Sequence, residues 1–256
     1  MKKKSYLDGR EYLTYFWPES PRGSQVWGDN SFLLSAYVMA AQSVGSQIGE
    51  RCVCLDISTG PVLAPIIVLA PILDSIQLSD YCSSSREVFR KTPIDYWRGY
   101  VREILKLEGQ EVTTASIEKR LREVADLVGK KDFVDVDITK EPMFTPDLDV
   151  SRFNLFTMHF VADSITRFRD DYDAMLVRVL NQIETGSVLL MSSLIESSEW
   201  FVGSRSYPSP KLTFEHILTL LGHNGLAPFY TCLQDKTAGS EVGHDGRMAV
   251  TAAFRK

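Results

Sequence analysis

Cysteine is scarce, with four in 256 residues. None of them has the spacing of a zinc site. Cys52 and Cys54 fall on the same side of one predicted strand, too far apart along it for a relaxed disulfide. Neither a metal centre nor a disulfide framework is expected, and a reducing, cytoplasmic location is the default. Basic charge is not in excess: 28 Lys and Arg stand against 33 Asp and Glu, for a net charge of −5. Phosphate binding needs a basic surface, so no obligatory nucleic-acid partner is expected. Long apolar runs are missing as well. The longest uncharged stretch, 57–73, is interrupted by Pro61, Pro65 and Pro71 and does not span a bilayer as a regular helix. Lys2, Lys3 and Lys4 lack a following apolar h-region, so they are not read as a signal peptide. No internal repeat or low-complexity tract occurs. The Ser192–Ser198 run contains no G-x-S-x-G elbow, which gives a serine hydrolase no support.

What remains is an ordinary globular composition, 44% hydrophobic and 24% charged. One α/β domain over 1–256 is the simplest organisation at this length. The chain is organised around Cys52-Val-Cys-Leu-Asp-Ile-Ser-Thr-Gly-Pro61. An apolar strand runs into Asp56, a tight turn follows, and Gly60-Pro61 leads towards a helix. Twenty residues after Gly60, the apolar segment Ile76–Ser79 ends at Asp80, followed by Tyr81. Strand, turn, helix, strand and acid is the sequence form of a nucleotide-binding βαβ unit, whose acid accepts from ribose hydroxyls. An ordinary buried βα turn has the same outline. A pyrophosphate site would want G-x-G-x-x-G, but Ser58 and Thr59 stand where the early glycines belong. The pattern suits a ligand with a ribose and no phosphate, of which S-adenosylmethionine is the common one.

Residues 5–30 are rich in aromatics, glycine and proline, including Tyr6, Tyr12, Tyr15, Phe16, Trp17 and Trp27. Tyr12, Tyr15 and Phe16 have the spacing of one helical face, and Pro18 and Pro21 stop that helix. The segment reads either as packing or as a lid over a ligand. A helix follows over 32–48 and strand one over 53–57. A short helix from Pro65 to Ala70 leads to strand two at 76–79. Residues 84–107 read as helix, broken at Thr92-Pro93, and 117–128 carry a clean helical stripe. Phe133–Ile138 alternates apolar and acidic residues as a strand does. Phe153–Met158 is the next strand. Tyr172, Met175, Leu176, Val179, Leu180 and Ile183 give the strongest helical periodicity, and Gly186 ends that helix. Ser187–Met191 is a strand with an exit loop from Ile195. A helix over 212–221 and two closing strands, 229–233 and 248–254, complete the chain. The connection 235–247 looks mobile.

Several of these stretches resemble the class I methyltransferases of the nicotinamide, phenylethanolamine and indolethylamine N-methyltransferase family. They are Tyr12-Leu13, Leu55–Pro61, Leu78–Tyr81, Val136–Ile138 and Leu194–Gly203, and they spread over nearly the whole chain. The resemblance implies a Rossmann-like fold. Its seven-stranded mixed sheet would have an antiparallel last strand and helices on both faces. An aromatic lid over 1–30 would close on a core over 31–256. The implied cofactor is S-adenosylmethionine, leaving as S-adenosylhomocysteine, and the implied partner is a small-molecule acceptor.

The expected cofactor set is Tyr12, Trp17, Asp56, Ser58, Thr59, Gly60, Asp80, Tyr81, Ser85, Asp137, Ile138 and His159. Trp17 stands where the family commonly has tyrosine. Asp137-Ile138 would meet the adenine, with Asp135 competing for the register. Asp163 matches an acid that faces substrate in the family, so it is the candidate catalytic residue. It reads equally well as a helix N-cap. Tyr12, Asp163, Ser193, Ser197, Trp200 and Tyr207 form the expected acceptor site. Ser193 and Ser197 replace acidic contacts of relatives, and Glu196 and Glu199 either compensate or face water. The reaction implied is N-methylation of an amine or N-heterocycle by in-line displacement, which needs alignment more than a strong base. Transfer to sulfur or oxygen, a non-catalytic cofactor-binding sensor or subunit, and a nicotinamide-dependent reductase are the rivals.

Overall fold

In the computed structural model, residues 8–21, 27–49, 51–129, 132–235 and 243–256 are described. Lys2–Lys4, Tyr6 and most of the connection read as mobile lie outside them.

Apolar alternation and burial decide the sheet. Strand β1 (Cys52–Ile57) pairs in parallel with β2 (Leu73–Leu78) on one side and β3 (Leu155–His159) on the other. Strand β4 (Val188–Ile195), buried along its whole length, pairs in parallel with β3. The two closing strands, β7 (Leu226–Leu233) and β8 (Arg247–Arg255), pair antiparallel, and β8 sits between β4 and β7. The order is β2-β1-β3-β4-β8-β7, with β8 antiparallel to both neighbours. Near-continuous apolar strands are what a sheet covered on both faces requires.

Among the described residues the sheet has six strands, where seven are expected. Phe133–Ile138 is the difference. It makes only two isolated bridges, Val134 with Ser79 and Val136 with Phe144. Its acids prevent a longer ladder: Asp135 pairs with Arg86 at 2.6 Å, and Asp137 folds back onto Thr139 and Lys140.

Two cores flank the sheet. Alternate residues Cys54, Leu155, Leu190 and Val250 join the cluster covered by the helices up to residue 128. Leu55, Phe156, Leu189 and Ala249 point the other way, to α7 (Arg169–Leu180) and α8 (Phe214–His223). On the first face lie α1 (Gly9–Phe16), α2 (Trp27–Ile48) and α3 (Ala64–Leu69). With them are α4 (Ser83–Lys91), α5 (Arg98–Leu107) and α6 (Thr114–Val128). Helix α2 starts five residues before the periodicity predicts, because its first turn is polar. No described helix is long and apolar enough to cross a membrane.

The exit loop predicted after Ile195 is instead a hairpin, β5 (Glu199–Val202) and β6 (Arg205–Pro208). It is tied to the segment before β8: Phe201 donates to Gly243 O at 2.7 Å, and Asp245 accepts from Ser197 and Ser198. A Cβ on Gly246 would lie 2.3 Å from the Ile195 carbonyl oxygen, so this crossing needs glycine.

Candidate active site

The carboxyl ends of β1 and β2 and the turn after β1 form one end of a cavity of about 760 Å³. Ser58 and Gly60 both adopt left-handed backbone, with φ of 57° and 64°. Serine there is uncommon, and the turn brings the Ser58 and Thr59 amides onto Ser79 and the Gly60 amide onto Asp80. Asp80 fixes the turn from β2. Its carboxylate accepts from Gly60 N at 2.7 Å and Cys82 N at 2.6 Å. Burial raises its pKa above the usual carboxylate range. A carboxylate offers about four acceptor positions, so two remain for a ligand. Asp56, also buried, accepts from Thr157 Oγ1 at 2.5 Å, and burial lifts its pKa to about 6.

Further along the wall, Asp137 lines the cavity and Asp135 does not. Burial pushes the Asp137 carboxyl up, but bonds from Thr139 and Lys140 outweigh it and hold it below the usual range. Tyr81 is half exposed, with Lys140 Nζ 5.4 Å from its ring centre.

His159 ends β3. Its Nδ1 lies 2.9 Å from Ser192 Oγ, which also meets Tyr37 Oη at 2.9 Å. Its Nε2 is buried without a hydrogen-bond partner, and burial lowers its pKa to about 3, so the ring is neutral. Such an orphan beside a cavity wants a ligand atom or an ordered water.

The far end is aromatic. Helix α1 is capped by Asp8, which accepts from Arg10 N and Glu11 N. Leu13 and Trp17 form its buried side, while Tyr12 and Phe16 reach the cavity. Trp17 packs against Trp97 and Tyr100, and Tyr96 Oη donates to its carbonyl at 2.8 Å. Trp200 stacks on Tyr207 at 4.3 Å and meets Tyr12 edge-on at 6.3 Å.

All twelve residues expected to hold cofactor line this one cavity, together with Trp200 and Tyr207. Three expected acceptor residues do not. Ser193 faces the opposite side of the sheet, towards Tyr172, because side chains alternate along β4. The serine on the cavity side of the sheet is Ser192. Ser197 is fully buried and bonded to Glu199 O and Asp245 at 2.7 Å each. Asp163 is buried behind the wall, where it accepts from Leu194 N at 2.5 Å. It caps nothing either: α7 begins six residues later, after Phe168. Burial raises its pKa to about 7. Its negative charge in turn adds to the burial that raises the Tyr12 hydroxyl. Glu196 pairs with Arg247 at 3.1 Å, and Glu199 is exposed outside the cavity.

Sequence reasoning missed Asp29, Asn30, Tyr37 and His244, all of which line the cavity. One signal was present for Asp29. It is the single charged residue in the 22 of α2, where an unpartnered carboxylate is costly.

Comparisons with known proteins agree with this architecture. The model of the NNMT/PNMT/TEMT family matches residues 2–255. A comparison with curated proteins gives no match. Among solved structures, the chain is similar to a Burkholderia thailandensis 1,6-didemethyltoxoflavin-N1-methyltransferase with bound S-adenosylhomocysteine. That match has 14% identity and a TM-score of 0.51, covering 97% of this chain and 87% of that one. A Clostridium acetobutylicum S-adenosylmethionine-dependent methyltransferase matches at 9% identity and TM-score 0.51, with 88% and 92% covered. The PH0226 protein of Pyrococcus horikoshii matches at 10% identity and TM-score 0.52, with 96% and 99% covered. At these identities the likeness is one of fold.

Proposed function

The chain belongs to the NNMT/PNMT/TEMT family of S-adenosylmethionine-dependent methyltransferases, and from that premise we propose that it methylates nitrogen of a small-molecule amine or N-heterocycle. The observation that carries the reading is the single cavity in which the Asp56–Gly60–Asp80 turn and the aromatic wall meet. Four carboxyl side chains and one lysine line it, a balance that draws in a basic acceptor.

The residues present fit the cofactor. Asp80 has acceptor positions left for two ribose hydroxyls, its bond from the Gly60 amide holds the turn beside them, and Asp137-Ile138, on the same cavity wall, are the candidates to read an adenine edge. The sulfonium supplies an electrophilic methyl group when bound. The protein's part is to hold the acceptor in line with it and to shut out water. Tyr12, Phe16, Trp200 and Tyr207 form the apolar wall for that purpose. Asp163 acts through others in this reading: it fixes the Ala162–Ser164 turn to β4 behind Tyr12. The four cysteines are free, which suits a reducing compartment such as the cytoplasm.

The test is incubation with methyl-labelled S-adenosylmethionine and a panel of amines, N-heterocycles, guanidines, thiols and phenols. Label is expected on nitrogen. Label on thiols or phenols alone would overturn the choice of atom. Tight S-adenosylhomocysteine binding with no transfer to any acceptor would make the protein a cofactor-binding sensor or subunit.

A further inference from the structure

Midway along the cavity, three elements bring three uncharged polar side chains into one hydrogen-bond chain. Tyr37 comes from α2, Ser192 from β4 and His159 from the end of β3. In the sheet His159 stands opposite Ser192, one residue beyond the Ile57–Met158 pair and so beside the turn at Ser58. It therefore lies between the cofactor turn after β1 and the β4 side that leads to the aromatic wall. Tyr37 Oη is 2.9 Å from Ser192 Oγ, which is 2.9 Å from His159 Nδ1. The Tyr37 and His159 rings meet edge-on at 4.9 Å, which holds the imidazole plane. Tyr37 and Ser192 are buried, and His159 lines the cavity with its Nε2 buried and unpartnered.

The hydrogens available set the direction of this chain. His159 is neutral, so one ring nitrogen carries a hydrogen and the other a lone pair. Among the described residues the Tyr37 hydroxyl bonds to Ser192 alone. If Tyr37 donates to Ser192 and Ser192 donates to Nδ1, every hydrogen inside the chain is used and only the Nε2–H is left over. If the chain runs the other way, the Tyr37 hydrogen and the Nε2 lone pair are both unpaired. If Ser192 accepts from both neighbours, its own hydrogen and the Nε2 lone pair are unpaired. Buried unpaired groups are costly, so the first arrangement, with one orphan rather than two, is favoured.

We propose that Tyr37 and Ser192 fix His159 in its Nε2–H form, and that this N–H binds an oxygen of the bound ligands, a carboxylate or a carbonyl. The ligands are those of the methyl-transfer reading above, on which this rests. The oxygen is that of the cofactor's amino-acid carboxylate or of a carbonyl group on the methyl acceptor. His159 is then a binding residue and not a base: its lone pair, on Nδ1, is taken by Ser192, and the nitrogen left for a ligand only donates. Tyr37 and Ser192 act through it as positioning residues. An ammonium group offers hydrogens and no lone pair, so it is the wrong partner for this nitrogen and would leave the N–H unpaired.

Nitrogen NMR of the full chain with isotope-labelled histidine reads the tautomer directly. The signals missing from His159→Leu identify His159 among the four histidines. The empty protein is expected to carry the hydrogen on Nε2, and Ser192→Ala should move the Nδ1 resonance, which loses its hydrogen bond. Hydrogen on Nδ1, or an Nδ1 signal that Ser192→Ala leaves in place, overturns the proposal. Calorimetry then reads the oxygen as a ratio of affinities within two pairs of probes. One pair is S-adenosylhomocysteine and its analogue without the carboxylate. The other, titrated into the S-adenosylhomocysteine-loaded protein, is oxindole and indoline, which share a fused ring system and differ by one carbonyl oxygen. His159→Leu should lower the first ratio about tenfold if the cofactor carboxylate is the partner, or the second about threefold if an acceptor carbonyl is. His159→Gln, whose amide nitrogen reaches the Nε2 position, should keep the ratio near wild type. A His159→Leu protein with both ratios unchanged overturns the oxygen contact. Failure of the wild type to bind S-adenosylhomocysteine at all would instead strike the cofactor reading, and the tautomer of the empty protein is measured independently of it.

Discussion

At the Asp56–Gly60–Asp80 end of the cavity the polar groups have protein partners before any ligand arrives, whereas at the Trp200–His244 end several have none. Asp80 accepts two backbone amides, Asp56 accepts from Thr157, and Ser79 Oγ donates to Asp56 O. Trp200 Nε1 and both nitrogens of His244 are buried and unpaired. The first end is one local unit, a strand, a turn and the next strand. The second is assembled from α1, α2, the β5–β6 hairpin and the approach to β8. A preorganised site costs little to fill. A site with unpaired groups rejects any ligand that leaves them unpaired, and so discriminates. The contrast fits a fixed cofactor on one side and a selected acceptor on the other.

The largest effect should come from breaking the preorganised end. Asp80→Ala removes the acceptor of two backbone amides together with the proposed ribose contact. Charge-assisted bonds contribute about 1.5–3 kcal/mol each. S-adenosylhomocysteine affinity should fall at least about tenfold by calorimetry while the fold survives. An unchanged affinity would mean the ordered end is only a structural turn.

Gly246→Ala attacks the frame of the other end. The methyl group would collide with Ile195 O and Ser197 N. Overpacking of this kind costs about 1–3 kcal/mol. Melting should drop, and hydrogen exchange should rise over the β5–β6 hairpin more than over β1. A uniform rise would show the two ends to be one cooperative unit.

Asp163 gives a pH-dependent contrast. Its folded pKa of about 7 lies above the ordinary carboxylate value, so the folded chain holds a proton that the unfolded chain releases. That stabilisation is present in acid and is lost as pH rises through about 7, with Asp56, at about 6, adding to the same slope. Melting temperature of the unliganded protein should fall between pH 5 and pH 8, and Asp163→Asn should flatten that decline. Parallel profiles for the two proteins would remove the assignment.

The smallest effect sharpens the comparison most. Trp200→Phe deletes an indole N–H that bonds to nothing in the protein. Stability should change by less than about 1 kcal/mol, since only packing is altered. Acceptor KM should rise, with S-adenosylhomocysteine affinity unmoved. A large stability loss would show that Trp200 serves the fold rather than the acceptor.

The two ends also differ in how far the sequence discloses them. Asp56, Gly60 and Asp80 lie within 25 residues, and local turn chemistry names them. Asp29 and His244 lie more than 200 residues apart and meet only through the sheet order, which no local pattern encodes. Ser193 shows a narrower failure. One step along β4 reverses the face, and an alignment that places the right region still selects the serine next to the one that matters. Asp163 was read for its charge, but its carboxylate is committed to the Leu194 amide. The β5–β6 hairpin has four-residue strands, too short for alternation to stand out.

The position of β8 has a consequence for assembly. It is the latest strand in the sequence, yet it lies inside the sheet between β4 and β7. During synthesis β4 and β7 are complete before either has this neighbour, and each exposes an unpaired edge. Residues 247–255 therefore act as the closing piece of a partly built sheet, and their arrival also carries His244 towards Asp29. A chain interrupted before residue 247 would keep both edges open.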